Sequence, residues 1–405
     1  MKVCMVTHSL YESDGRVTRY AEALAARGDE VDVIALRKPG KPKEEIMAGV
    51  RVFRIHPRSF TEQKRSSFLK QVSAFFVKAM WLVSRRQLHR RYDLLHMHSI
   101  PDHIVFTGLL PKLMGAKVIL DIHDILPELY ASKFGVTETS LGFRTMLFLE
   151  RASTAFSDHV IIANHLWRER LLARSVKSDR YTVLLNYPDT TVFRPIQRER
   201  NPEKFIMMYP GTLNLHQGLD VAIRAFAIVK KVAAHAEFHI YGEGRTQGAL
   251  MELAHSLGLD DSVQFHNFRP QKEIATVMAN ADLAVVPKRK DGFGNEAFST
   301  KVFEFMSLGV PVVVSNTKID KYYFNDSVVR FFQDGDEQDL ARGILELINN
   351  EPRRLQLAHN ASEFVKAYDW EVNKSTYLDL VDSLFQKKQQ PHRAAVAKTN
   401  LGDAA

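Results

Sequence analysis

One cysteine, Cys4, occurs in 405 residues, so no disulfide framework can form within the chain, and a reducing compartment suits it. A run of eighteen apolar residues is missing, which argues against a membrane-spanning helix. Met1–Thr7 is too short, and too soon followed by Glu12 and Asp14, to read as a signal peptide. The loop after the first apolar strand lacks G-x-G-x-x-G, so a nicotinamide-dependent dehydrogenase fits poorly. There is no internal repeat beyond two similar halves, no metal cluster, and no Asp-x-Asp placed to hold a divalent ion. Acid is scarce in one stretch: between Arg51 and Tyr92, eleven Lys and Arg residues face Glu62 alone. That segment outweighs the +8 of the whole chain, so the remainder is slightly acidic. No recognised nucleic-acid motif accompanies the charge, and no nucleic-acid partner is expected.

What is present reads as a folded chain of two domains, with 45% hydrophobic and 25% charged residues. Lys2–Thr7 predicts a buried strand, Arg16–Arg27 a helix stopped at Gly28, and Val31–Leu36 the next strand, a Rossmann-type unit. Further strands are expected at Val50–His56, Leu94–Met97, Lys117–Ile122, Val160–Ala163 and Tyr181–Leu185. Between them Phe68, Val72, Phe75, Phe76, Ala79 and Val83 recur at helical spacing among Lys64, Arg65, Lys70, Lys78, Arg85 and Arg86. Such a basic amphipathic helix, over about 64–86, fits an anionic membrane surface or, alternatively, a core-packing helix with a basic edge. A second set of strands starts at Phe205–Tyr209 and continues through Glu237–Tyr241, Val263–Asn267 and Leu283–Pro287. After Phe205–Tyr209, the loop Gly211–Gly218 is of a kind that presents backbone amides to a diphosphate.

The densest stretch lies at Phe293–Ser315. It predicts a loop, a helix of about ten residues, a stop at Gly309 and a buried strand after Pro311. Ser299 and Thr300 suit an N-cap whose free amides favour an anion, and Lys301 adds a cation there. Glu304 lies one helical turn past Thr300 on the same side.

Glu296 and Glu304, eight positions apart and followed by Met306, Gly309, Pro311, Val312 and Val313, resemble the donor-site motif of retaining family-4 glycosyltransferases. The resemblance spans about residues 1–385. It implies α/β architecture with two Rossmann-like domains facing a cleft, the GT-B arrangement, and domain closure on donor binding. It divides the chain into an acceptor-side domain at 1–190 and a nucleotide-sugar donor domain at 191–369. A terminal helix at 370–385 would cross back to the first domain, and 386–405 reads as a polar, disordered tail. The implied reaction moves a sugar from a nucleotide diphosphate donor to an acceptor hydroxyl with retention. It uses no metal and no cofactor beyond the donor itself.

By the same resemblance Glu304 holds the ribose and Glu296 orients the donor sugar. Gly211, Ser299, Thr300 and Lys301 stabilise the diphosphate, with Phe298 in step, and Arg269 lies where relatives contact the base. His123-Asp124, followed by Pro127-Glu128, matches an H-D-x-x-P-E segment and places His123 at the reacting sugar and Asp124 beside the acceptor. Gly15, Arg16 and His98 complete the acceptor side. Thr212 and Gln217 stand where the family carries Arg and Lys, so two cations are missing from the diphosphate site. Lys301, helped by Lys288, Arg289 or Arg269, is the expected substitute. A lipid-linked saccharide acceptor and a cytoplasmic protein peripheral on the inner membrane face follow from the resemblance, with a role in bacterial surface polysaccharide or glycolipid assembly. Two rivals stand beside it. One is a nucleotide-sugar epimerase, which shares the architecture but is not expected to carry the paired glutamates. The other is a membrane-bound pseudoenzyme that binds nucleotide without turnover.

Overall fold

The Val- and Ile-rich runs form strands buried on both faces, as parallel sheets require. The computed structural model describes residues 1–58, 65–196 and 203–386. In the first half these strands are β1 (Lys2–Leu10), β2 (Glu30–Arg37), β3 (Glu44–Met47), β4 (Val50–Pro57), β5 (Leu94–His98), β6 (Lys117–Ile122), β7 (His159–Ile162) and β8 (Tyr181–Val183). They pair in the order β3-β4-β2-β1-β5-β6-β7-β8, and only β3 with β4 is antiparallel. In the second half β9 (Phe205–Pro210), β10 (Ala236–Tyr241), β11 (Val263–His266), β12 (Leu283–Val286), β13 (Val312–Ser315) and β14 (Arg330–Phe332) form a parallel sheet. Their order is β11-β10-β9-β12-β13-β14. Strand order reverses between β1 and β5 and again between β9 and β12, and a doubly wound sheet opens its crevice at such points.

The two crevices face each other. Gly15, after β1, lies against Gln271 of the second half. Asn164, after β7, donates to the Glu296 carbonyl at 3.1 Å. The helix Trp370–Ser383 returns to the first half, where Tyr377 stacks on Tyr20 at 4.2 Å and bonds His96 at 2.9 Å. This is the pair of Rossmann-like domains around a cleft that the sequence leads one to expect. Past Gln386, the expected disordered tail lies outside the described residues.

The basic helix runs over Arg65–Arg90, longer than the 64–86 expected, and Lys64 lies outside the described residues. Its apolar stripe points elsewhere than a membrane reading requires. Val72, Phe75, Ala79 and Val83 are buried against the first sheet. Arg86 and Arg90 are also committed, Arg86 to Asp32 at 2.7 Å and Arg90 to Glu30 and Asp32. A second apolar ridge, unremarked in the sequence, is exposed instead: Leu69, Val77, Trp81 and Leu88, each 60 to 64% exposed. Lys70, Lys78 and Arg85 border it, and the Arg85 guanidinium lies 5.2 Å over the Trp81 ring. No helix among the described residues is long and apolar enough to cross a membrane.

Candidate functional site

The helix Thr300–Ser307 is one end of the site. Val302, Phe303, Phe305 and Met306 are buried against the second domain, which leaves Lys301 and Glu304 on the cleft side. Gly309, at φ +69°, ends the helix as the sequence predicts. Ser299 has N-cap backbone geometry but its side chain caps nothing; its hydroxyl is buried without a partner. Lys301 makes no ion pair among the described residues. Burial lowers its pKa to about 8, with Glu304 opposing and Lys288 reinforcing that shift. Burial raises the Glu304 carboxyl above its ordinary range, while Lys301, Arg19 and a hydrogen bond from Thr300 pull the other way.

In the glycine loop, two of the amides are taken up within the fold. The Gly211 N–H donates to the Tyr241 carbonyl at 2.8 Å and the Leu213 N–H to the Glu243 carbonyl at 3.0 Å, so neither is free for a phosphate. Gly211 contributes space: a Cβ there would lie 2.4 Å from the Lys301 Cε, at a φ of +139° that favours glycine. Thr212, next to it, is exposed. Gln217 bonds His216 at 3.0 Å through Nε2 and leaves its buried Oε1 unpartnered.

Of the cations proposed to replace the missing pair, three are engaged elsewhere. Lys288 is buried between Asp320, at 3.1 Å, and the Ala297 carbonyl, at 2.7 Å. Arg289 pairs with Asp220, and the exposed Arg269 with Glu273 at 3.5 Å. Lys301 alone of the four has no ion pair among the described residues; its ammonium lies 5.3 Å over the Tyr209 ring.

On the opposite wall, the sequence singles out residues that form one buried network around Asp121. Arg16, expected on the acceptor side, is buried, and its Nε and Nη2 each donate to the Asp121 carboxylate at 2.8 Å. His98 is likewise buried and bonds Asp121 at 3.3 Å and His123 at 3.3 Å, so it supports the site from beneath. His123 is the member that reaches the cleft. Its Nε2 lies 3.0 Å from Asp121, and the carboxylate outweighs burial to raise the imidazole pKa. Burial raises Asp121 as well, but Arg16 and the two histidines overcome it and hold the carboxyl well below its usual range. Asp124, half-buried and without a hydrogen bond among the described residues, is pushed up to about 7 by burial. Gly15 keeps the loop close to Arg19 and Gln271. His96, His98 and Asp121 are near enough to share a cation, a grouping the sequence did not reveal. Arg16 already supplies the positive charge there.

Glu296 and Phe298 have partners the sequence does not foresee. The Glu296 carboxylate is held by Arg170 of the first domain at 3.1 Å and by Lys318 at 3.4 Å. Phe298 packs its ring against Phe303 at 4.7 Å and Tyr323 at 5.0 Å, inside an aromatic cluster. Sequence reasoning missed Asp121, Asn164 and Arg170. Asp121 had a usable signal, because residues two apart on a strand share a face, and it stands two before His123. Arg170 had none.

Two family models cover most of the chain: "Glycosyl transferase 4-like domain" over residues 15–186 and "Glycosyl transferases group 1" over 193–364. A D-inositol 3-phosphate glycosyltransferase of Thermomonospora curvata is 24% identical over 393 residues, 90% of this chain and 88% of that one. The sucrose-phosphate synthase of Thermosynechococcus elongatus superposes with a TM-score of 0.76 at 19% identity, covering 95% of this chain and 99% of its own. Anabaena HepE, solved in complex with UDP and glucose, superposes at 0.70 with 17% identity, covering 95% and 100%.

Proposed function

This chain belongs to the group 1 glycosyltransferases of GT-B architecture, and from that premise we propose that it transfers a sugar from a nucleotide diphosphate donor to an acceptor hydroxyl with retention. The observation that carries the proposal is Lys301, a cation with no ion pair among the described residues, beside the unpartnered Ser299 hydroxyl, with Gly211 leaving room in front of it. A desolvated cation next to a helix N-terminus calls for an anion, and a diphosphate supplies it. Glu304, one turn on, is placed for the adjoining ribose. That HepE holds UDP with glucose in the same architecture supports this class of donor.

Catalysis in this reading is electrostatic. As the bond to the anomeric carbon breaks, negative charge grows on the diphosphate, and Lys301 with the amides at Thr300 and Lys301 stabilises it. Lys301 does so without a metal ion. The leaving phosphate oxygen takes the acceptor's proton on the same face, so no protein base is required. His123, fixed through Nε2 by Asp121, orients the reacting groups. Asp124 lines the acceptor side. The paired glutamates and family membership favour a transferase over an epimerase. Released nucleotide in the presence of acceptor separates turnover from simple binding.

The acceptor in this reading is a lipid-linked saccharide, reached from the inner membrane face during assembly of a bacterial surface polysaccharide or glycolipid. Leu69, Val77, Trp81 and Leu88 support it, since they share one face of the helix Arg65–Arg90 and are bordered by Lys70, Lys78 and Arg85. Leu109 and Leu113, on the helix packed beside it, are exposed as well. Apolar side chains at the centre with cations around them match an anionic bilayer surface. A panel of nucleotide sugars scored by thermal shift tests the donor reading. A ligand bound to the folded state raises the melting temperature, whereas no shift with any nucleotide diphosphate sugar removes the proposal.

A further inference from the structure

Glu296 is gripped by a single helix of the opposite domain. The helix His165–Arg174 begins at Asn164, whose Oδ1 caps it by accepting from the Trp167 N–H at 2.8 Å. The same Asn164 is fully buried and donates through Nδ2 to the Glu296 carbonyl at 3.1 Å. One turn further along, the Trp167 ring lies 6.0 Å from Phe293. Arg170 then donates through Nε to the Glu296 carboxylate at 3.1 Å and through Nη1 to Glu128 at 3.3 Å. Glu128 is itself buried and held by Arg174, at 2.5 and 3.0 Å, and Arg174 also binds the buried Glu150. Glu296 is thus the outermost carboxylate of an alternating ionic chain rooted in the first domain, although it belongs to the second.

We propose that Arg170 and Asn164 are positioning residues for the donor sugar, acting through Glu296, so that the sugar subsite is complete only when the first domain supplies them. This rests on the reading of Glu296 as the residue facing the donor sugar. A carboxylate that accepts hydrogen bonds from a sugar must be held in one rotamer, and a guanidinium anchored by a buried glutamate does so more rigidly than a flexible ammonium. Lys318, more exposed and at a longer distance, is the weaker partner. Lys301 and Glu304, the residues read as holding the nucleotide, are not among Arg170's partners, which are Glu128 and Glu296. Loss of Arg170 therefore affects the sugar-bearing ligand and spares the bare nucleotide.

The experiment is calorimetric titration with two ligand pairs, UDP with UDP-glucose and GDP with GDP-mannose. The proteins are the full-length wild type, Arg170→Met, Arg170→Lys, Glu296→Gln and the Met–Gln double variant. The expected result is bare-nucleotide affinity within about twofold throughout. Affinity for the matching nucleotide sugar should fall about tenfold in each of Arg170→Met and Glu296→Gln, with no further fall in the double variant, because the two residues act as one unit. Arg170→Lys should recover part of the loss. Additive losses in the double variant, or loss of bare-nucleotide affinity in Arg170→Met, overturn the inference. If the wild type binds neither pair, the donor-site reading fails first and takes this inference with it.

Discussion

Replacing Lys301 with Met should stabilise the unliganded protein and weaken nucleotide binding. Met keeps most of the side-chain volume and removes the charge. Burial moves the Lys301 pKa from 10.5 down to about 8, which corresponds to at most about 3 kcal/mol of cost for the charged form. The real figure is smaller because the half-buried side chain is partly screened by water. The sign follows from linkage. The folded pKa lies below the unfolded one, so below pH 8 both states hold the proton and the cost is present in full. Between about 8 and 10.5 the folded protein releases its proton first and the cost fades, so wild-type stability should rise over that window. At pH 7 Lys301→Met should therefore raise the melting temperature of the free protein, on the order of 5 °C for a 2 kcal/mol gain. A charge-assisted contact to phosphate is worth about 1.5–3 kcal/mol, so the same variant should bind UDP or GDP about ten- to a hundredfold more weakly. Calorimetry near pH 8 in buffers of different ionisation enthalpy should also show proton uptake on binding by the wild type and none by the variant. Equal nucleotide affinities, or a free variant less stable than wild type at pH 7, would refute the reasoning.

Other outcomes follow from the same geometry. Arg16→Met removes the bidentate partner of the buried Asp121 and leaves it only His98 and His123, so it should destabilise the fold by about 3 kcal/mol, seen in denaturant unfolding; a neutral result would show that the network is not held by this pair. Gly211→Ala forces a Cβ against Lys301 at a left-handed φ, and should lower both stability, by roughly 1 kcal/mol or more, and nucleotide affinity in the same titrations. Val77→Asp with Trp81→Asp alters exposed positions and should change stability by less than about 1 kcal/mol while abolishing co-sedimentation with anionic vesicles at low salt. Unchanged sedimentation would end the membrane reading.

The sequence and the structure agree best where periodicity decides. Lys117–Ile122 and the helix ending at Gly309 follow from apolar runs and glycine punctuation, which are local signals. The short edge strands Glu44–Met47 and Arg330–Phe332 escaped because three or four residues carry too little pattern. On the basic helix the period was right, and the core-packing alternative describes the stripe it picked out. Val72, Phe75, Ala79 and Val83 cover the sheet, and the exposed ridge could be told from them only once the sheet was in place. At the site, Lys301 and Glu304 were legible because one helix carries both. Arg16, His98 and Glu296 were named without their partners, and each is bound by a residue far along the chain: Asp121 for the first two and Arg170 for the third. Long-range ion pairs of this kind leave no spacing to read. That Lys301 is the cation left without an ion pair among the described residues emerges only after Lys288 and Arg289 are seen to be paired.

The most direct measurement is a crystal structure of the protein with UDP or GDP bound. The account predicts a diphosphate oxygen within hydrogen-bonding distance of the Lys301 Nζ and the Ser299 hydroxyl, with the Glu304 carboxylate on the ribose hydroxyls. A nucleotide seated elsewhere, with Lys301 still lacking an anionic partner, would contradict it.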